Sequence, residues 1–179
     1  MEKLGGVAEF FYRESLGDRI EEFIEDKKAA RIIGYQSLRY ADLSLSSVLD
    51  KNQYKVEWIP AVKPAGFDVK KYRNQLAAAD YAITTCDFLI AQTGTIVFTG
   101  ENHPSKALTL VPPSVIVISW LSSLVATLAD FHRQIKTTGL DKRSSLIYFT
   151  GPSRTADIEK KLVLGVHGPR ELTVFVIKD

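Results

Sequence analysis

One cysteine and three histidines are all that the 179-residue chain has of the thiol and imidazole side chains that hold structural zinc and iron–sulfur clusters. Cys86 cannot form an internal disulfide, and one thiolate cannot carry an iron–sulfur cluster, which needs several protein ligands. His103, His132 and His167 stand far apart, without the tight spacing of a zinc site. The sequence therefore predicts no metal and no redox centre in this chain. A strong charge of one sign is missing too: 23 Lys and Arg against 21 Asp and Glu leave a formal net charge of +2. Without a basic face interleaved with aromatics, nucleic-acid binding is disfavoured. The pairs Lys27-Lys28 and Lys70-Lys71 read as solvated faces, and Trp58 and Trp120, at strand ends, read as core or rim. No apolar run reaches the ~18 residues of a membrane span. The longest, 108–128, is interrupted by Pro112 and Pro113. The start, Met1-Glu2-Lys3, lacks the apolar stretch of a secretion signal, so the expected location is the cytoplasm.

What is present is an ordinary globular balance, 45% hydrophobic and 25% charged, long enough for one domain with a sizeable core. Residues 8–28 have helical composition, broken at Gly17 with Asp18 as a cap and Phe23 and Ile24 inward. A short strand at 31–35, a helix at 40–50 and a strand at 54–59 follow. A helix at 68–79 begins with Asp68 as N-cap. Three β-prone runs, 81–84, 88–91 and 95–99, are close enough to make a local antiparallel or mixed part. After a turn at 100–105, a short helix at 106–111 stops at Pro112-Pro113. The Val and Ile run 114–119 reads as a strand buried on both faces. An amphipathic helix is expected at 122–136, with Leu124, Leu128 and Phe131 inward. A strand at 146–150, a helix at 156–164 and a strand at 172–177 complete the chain. Strands alternating with helices argue for an α/β fold, single-domain and layered, with a mainly parallel (mixed) sheet.

Three segments could carry chemistry. Gly151-Pro152-Ser153-Arg154-Thr155-Ala156-Asp157-Ile158-Glu159 reads as a strand end, a tight turn and a helix start. Ser153 or Thr155 would cap the helix. The outward N–H groups there would favour an anion, and Arg154 would add a planar fork for a carboxylate or phosphate. A plain capped helix with a surface arginine accounts for the same residues, and Asp157 and Glu159 would repel an anion. Thr93-Gly94-Thr95, preceded by Gln92, is either a turn between strands or a place where a ligand approaches backbone closely at Gly94. The hydroxyls of Thr93, Thr95, Ser153 and Thr155 would meet there if the sheet joins the two segments. Residues 150–155 are expected at the carboxyl end of a parallel strand, where ligands gather in such sheets. In Gly165-Val166-His167-Gly168-Pro169-Arg170, Gly165 suits a helix C-cap and His167 a general acid or base. Arg170 is a second anion clamp, with Glu171 beside it as a possible partner. The plainer alternative is a connecting turn with His167 bonded to backbone. Cys86 reads as a buried, inert thiol.

These three segments, in this order and spacing, resemble the LUD domain, the lactate utilization protein C (LutC/YkgG) family. The resemblance is firm over 80–179 and weak over 1–70, and it implies a single LUD domain over 1–179. It implies a NagB/RpiA/CoA-transferase-like fold and a role in organic acid catabolism. The implied role is that of a cluster-free accessory or substrate-binding subunit of an L-lactate utilization system. Two iron–sulfur partner proteins would oxidise lactate to pyruvate with it, and clusters would reside only in those partners. Arg154 or Arg170 would hold the carboxylate of a small anionic ligand and His167 would take the hydroxyl proton. Family members commonly carry Glu-Thr-Gly-Thr where this chain has Gln92-Thr93-Gly94-Thr95. An amide only donates and accepts hydrogen bonds, so the departure counts against a transferase mechanism through a carboxylate nucleophile here. The rival is a stand-alone protein on the same fold that binds, or transfers a group from, a phosphorylated sugar, nucleotide or CoA-like ligand. A subunit that only docks partners is a third possibility.

Overall fold

A computed structural model of the protein describes residues 5–27, 31–36, 43, 45, 49, 54–60, 65–100, 106–140, 145–156, 162–164 and 168–178. Six strands form one all-parallel sheet in the order β1-β12-β7-β4-β2-β3. They are β1 (Val7–Tyr12), β2 (Arg31–Gln36), β3 (Lys55–Pro60), β4 (Tyr81–Thr85), β7 (Ser114–Trp120) and β12 (Glu171–Lys178). A second sheet, β8-β5-β6-β9, comprises β5 (Phe88–Ile90), β6 (Thr95–Thr99), β8 (Leu124–Val125) and β9 (Leu146–Phe149). Its β5/β6 and β6/β9 pairs are antiparallel, as the close strands at 81–99 suggested. The α/β class with a mainly parallel sheet is thus as expected.

The sheets and helices stack in layers because each strand alternates its side chains. Phe175 of β12 makes edge-on ring contacts with Phe11 of β1 and Phe23 of α1 (Leu16–Asp26). Buried Leu16, Ile20 and Ile24 complete that helix face. Neighbouring positions in β12, Val174 and Val176, point to the opposite face, toward the second sheet. In that second sheet Leu89, Ile96 and Phe98 join the main core. Phe88, Ile90 and Val97 instead pack with Phe131 and Ile135 of a covering helix, α4 (Leu128–Thr138). Every position of β4 and β7 is buried except Trp120, which is half-buried. This is why they read as unbroken apolar runs.

Helix ends follow local chemistry. Lys71 N donates to Asp68 Oδ1 at 2.9 Å, capping α2 (Val69–Ala78). Thr127 Oγ1 accepts from Asp130 N at 3.1 Å at the start of α4, and Gly139 ends it with φ 70°. A one-turn helix, α3 (Ala107–Leu110), precedes Pro112 and Pro113.

Three expected helices differ. Residues 8–12 belong to the strand β1, because β12 offers them a full ladder of partners from Val174 to Lys178; the helical part is 13–26, a 3-10 turn followed by α1. Residues 122–127 are a 3-10 turn (Leu121–Ser123) and then β8, which pairs with β5, so α4 starts at Leu128. Phe131 is buried as expected, whereas Leu124 and Leu128 are exposed. Of the helix expected at 156–164, residues 157–161 lie outside the described residues, and its two ends belong instead to an antiparallel pair, β10 (Arg154–Ala156) and β11 (Leu162–Leu164). A nine-residue helix is marginal alone, and the strand pairing joins 154–156 to 162–164. Of the helix expected at 40–50, only Leu43, Leu45 and Leu49 are described. All three are buried, and Leu45 and Leu49 are helical.

Candidate functional site

The Thr-Gly-Thr turn and the Gly151 turn meet through a chain of hydroxyls. Thr93 Oγ1 lies 2.7 Å from Thr95 Oγ1, which lies 2.7 Å from Thr150 Oγ1. The β6/β9 pairing makes this possible, since its register sets Ile96 opposite Phe149 and so brings the preceding Thr95 to the residue after Phe149. Thr95 is buried, while Thr93 and Thr150 at the two ends are exposed. A hydroxyl both donates and accepts, so the chain can run in either direction and offer a donor at either end. Gly94 (φ 63°) and Gly151 (φ 78°) both adopt a left-handed backbone, which glycine enters without steric cost.

The second junction lies where the sequence did not place it. Ser153 N donates to Pro169 O at 2.8 Å, and Arg170 N donates to Pro113 O at 2.7 Å. Pro113 and Arg170 immediately precede β7 and β12, so this junction sits at the amino ends of the parallel strands. β9, which leads into it, belongs to the antiparallel part. Residues 150–155 therefore do not follow the carboxyl end of a parallel strand. Nor does a helix start at Ser153 or Thr155: Ser153 precedes a strand, and the backbone of Arg154 and Thr155 lies in β10. Among the described residues no helix N-terminus adjoins this turn.

Gly168 packs tightly on this junction. A Cβ at that position would meet Ser153 Cβ at 3.2 Å and Leu110 Cδ2 at 4.0 Å. Arg170 is exposed. Glu171 is not its partner but accepts from Tyr81 Oη at 2.9 Å and lies 3.7 Å from Lys27 Nζ. Burial, together with the Glu171 carboxylate, pushes the Tyr81 phenol up to about 12. His103 and His167 lie outside the described residues, as do the side chains of Arg154 and Thr155.

Gln92 has a clear local job. Its Oε1 accepts from Leu128 N at 3.4 Å, and its backbone N–H donates to Ala126 O at 3.0 Å. The amide thus ties the Thr-Gly-Thr turn to the first turn of α4. Next to this turn lies a cleft of about 210 Å³ between the two sheets, with Gly94 and Thr95 in its wall. Ala8 and Phe10 of β1, Val174 and Val176 of β12, and Leu89 and Leu124 supply its apolar surface. Sequence reasoning missed this cleft because it read β1 as helix. A larger groove of about 880 Å³ runs between α2 and α3, with Lys70 and Arg73 at its side, but among the described residues none of the three motifs lines it.

Cys86 is fully buried, with its thiol 3.2 Å from Ser119 Oγ. Among the described residues no three His, Cys, Asp or Glu side chains gather as a metal set would. Among the same residues no helix is long and apolar enough to cross a membrane.

Comparison with known proteins supplies the family. Lactate utilization protein C of Halalkalibacterium halodurans is 30% identical over 169 residues, covering 93% of this chain and 70% of its own length. The protein of that name from Shouchella clausii is 32% identical over 162 residues, covering 89% and 68%. That from Bacillus subtilis is 29% identical over 170 residues, covering 92% and 69%. Among solved structures, a DUF162 family protein from Deinococcus radiodurans superposes with a TM-score of 0.67 at 21% identity, covering 97% of this chain and 89% of that one. The LUD domain profile matches residues 1–177, which takes in the N-terminal part where no motif was legible, and the chain belongs to the LUD domain family.

Proposed function

We propose that this protein is a cluster-free accessory or substrate-binding subunit of an L-lactate utilization system, working in the cytoplasm beside iron–sulfur partners that carry the electrons. The names of its relatives motivate the lactate role. The observation that carries the site is the hydroxyl chain Thr93–Thr95–Thr150, which links two of the three motif segments. In this reading the small anionic ligand is a 2-hydroxy acid. Gln92, Thr93, Gly94 and Thr95 form one side of its site, and Gly151, Ser153, Arg154, Thr155 and Arg170 the other. The hydroxyls can donate to carboxylate oxygens or accept from the ligand's own hydroxyl. The arginines supply the charge, and His167 receives the hydroxyl proton. Gln92 positions the turn and performs no nucleophilic step, because its carboxamide lacks the charge for one. The lone thiol of the chain leaves electron transfer to the partners.

Titration calorimetry with lactate, pyruvate, phosphate and a nucleotide tests this reading, run beside a pull-down at native expression. Lactate or pyruvate should bind, and Arg154→Ala should weaken that binding by about ten- to hundredfold, the value of a charge-assisted hydrogen bond. Arg154→Lys should recover only part, lacking the planar fork. Equal binding of every anion to wild type and Arg154→Ala would remove Arg154 from the site. Preferential binding of the nucleotide would favour the stand-alone reading.

A further inference from the structure

We propose that the cleft between the two sheets receives the tail of a 2-hydroxy acid longer than lactate, so that the site serves a chain-length range of such acids. This rests on the 2-hydroxy acid reading above and names the part of the ligand that reading leaves open. The cleft abuts the hydroxyl chain at Gly94 and Thr95. Among the described residues lining it, Thr95 alone has a polar side chain. A charged head group therefore belongs beside the hydroxyl chain, and only an apolar group belongs inside.

Size sets the length of that group. The cleft measures about 210 Å³. An engineered apolar cavity of about 150 Å³ admits benzene, so this space suits a tail of roughly six to eight carbons. The methyl group of lactate would leave most of it unfilled. The cleft is also open: Phe10 is 50% and Leu124 39% exposed, so a tail can enter without the sheets parting. The register explains its shape. Ala8 lies beside Val174 and Phe10 beside Val176 on one sheet face, and Leu89 and Leu124 form a rung of the β5/β8 pair. Small Ala8 leaves the space that a larger residue would fill.

The test is a calorimetric series on the full chain: lactate, 2-hydroxybutyrate, 2-hydroxyhexanoate and 2-hydroxyoctanoate, with octanoate as the control lacking the hydroxyl. Affinity should rise by up to about fourfold for each methylene buried, then level off once the cleft is full. Octanoate should bind much more weakly than 2-hydroxyoctanoate. Ala8→Phe, which fills the cleft, should flatten the series. If lactate binds and longer acids bind no better, the cleft proposal falls while the lactate reading stands. If octanoate matches 2-hydroxyoctanoate, the cleft takes apolar chains but the 2-hydroxy acid assignment is wrong, and the proposal falls with it. If no acid binds, both fail. A steep series that persists in folded Ala8→Phe puts the tail elsewhere and also overturns it; should that variant not fold, the wild-type series decides alone.

Discussion

Replacing Thr95 by valine removes the middle hydroxyl of the chain and leaves the side-chain shape nearly intact. Thr95 is 6% exposed and lies 2.7 Å from both Thr93 Oγ1 and Thr150 Oγ1. Each hydrogen bond is worth about 0.5–1.5 kcal/mol net. Both partners are exposed and can turn to water, which places the loss at the lower end of that range, about 1–2 kcal/mol for the pair. Valine and threonine have similar strand preference, so backbone effects are small. Thr150→Val should cost only about 0.5 kcal/mol, since one bond at an exposed position is lost. The decisive quantity is the double-mutant cycle. If Thr95 and Thr150 bond to each other, the double variant should be more stable than the two single losses predict, by about 0.5 kcal/mol, the value of the shared bond. Urea unfolding measures this, provided the slope is unchanged among the four proteins. For a chain of this size the Thr95→Val loss corresponds to a melting shift of roughly 2–4 °C per kcal/mol. Additivity within about 0.3 kcal/mol would refute the bond, and with it the link between the Thr-Gly-Thr and Gly151 turns.

Phe131→Ala should destabilise by about 3–5 kcal/mol in denaturant unfolding, because this fully buried ring makes edge-on contacts with Phe88 and Tyr148 at 5.2 and 5.8 Å. Gly34→Ala should cost about 1–3 kcal/mol as an overpacked site, since a Cβ there would lie 2.7 Å from Trp58 Cζ3 and 3.4 Å from Ile83 O; a melting temperature equal to wild type would count against the β2/β3 packing. Tyr81, raised from 10.0 to about 12, keeps its proton longer folded than unfolded. Its contribution is complete below pH 10 and is lost as pH rises from 10 to about 12. Ultraviolet titration of wild type against Tyr81→Phe should show one phenol ionising in that range, and the variant should lose less stability there.

Some of this protein was determined by the sequence alone. The Val and Ile run at 114–119, the close strands at 81–99 and the Asp68 cap are local statements: side-chain shape and spacing decide them wherever the segment sits. The single thiol and the three motifs are also plain in the sequence, and the motifs carried the family. The tertiary structure decided what depends on distant partners. Residues 7–12 are a strand only because β12, at the other end of the chain, offers its free edge. Residues 154–156 and 162–164 are strands because each satisfies the other's backbone, which outweighs a weak preference for a short helix. The candidate site follows the same division. Local chemistry made Thr93, Gly94, Thr95 and Gly151 legible as turns, since glycine enters without steric cost the left-handed backbone found at Gly94 and Gly151. Their meeting at Thr150, the junction at the amino ends of β7 and β12, and the apolar cleft beside Gly94 all arise from strand register. Register is fixed by which faces of the two sheets must be buried together, a condition that no single segment of the chain contains.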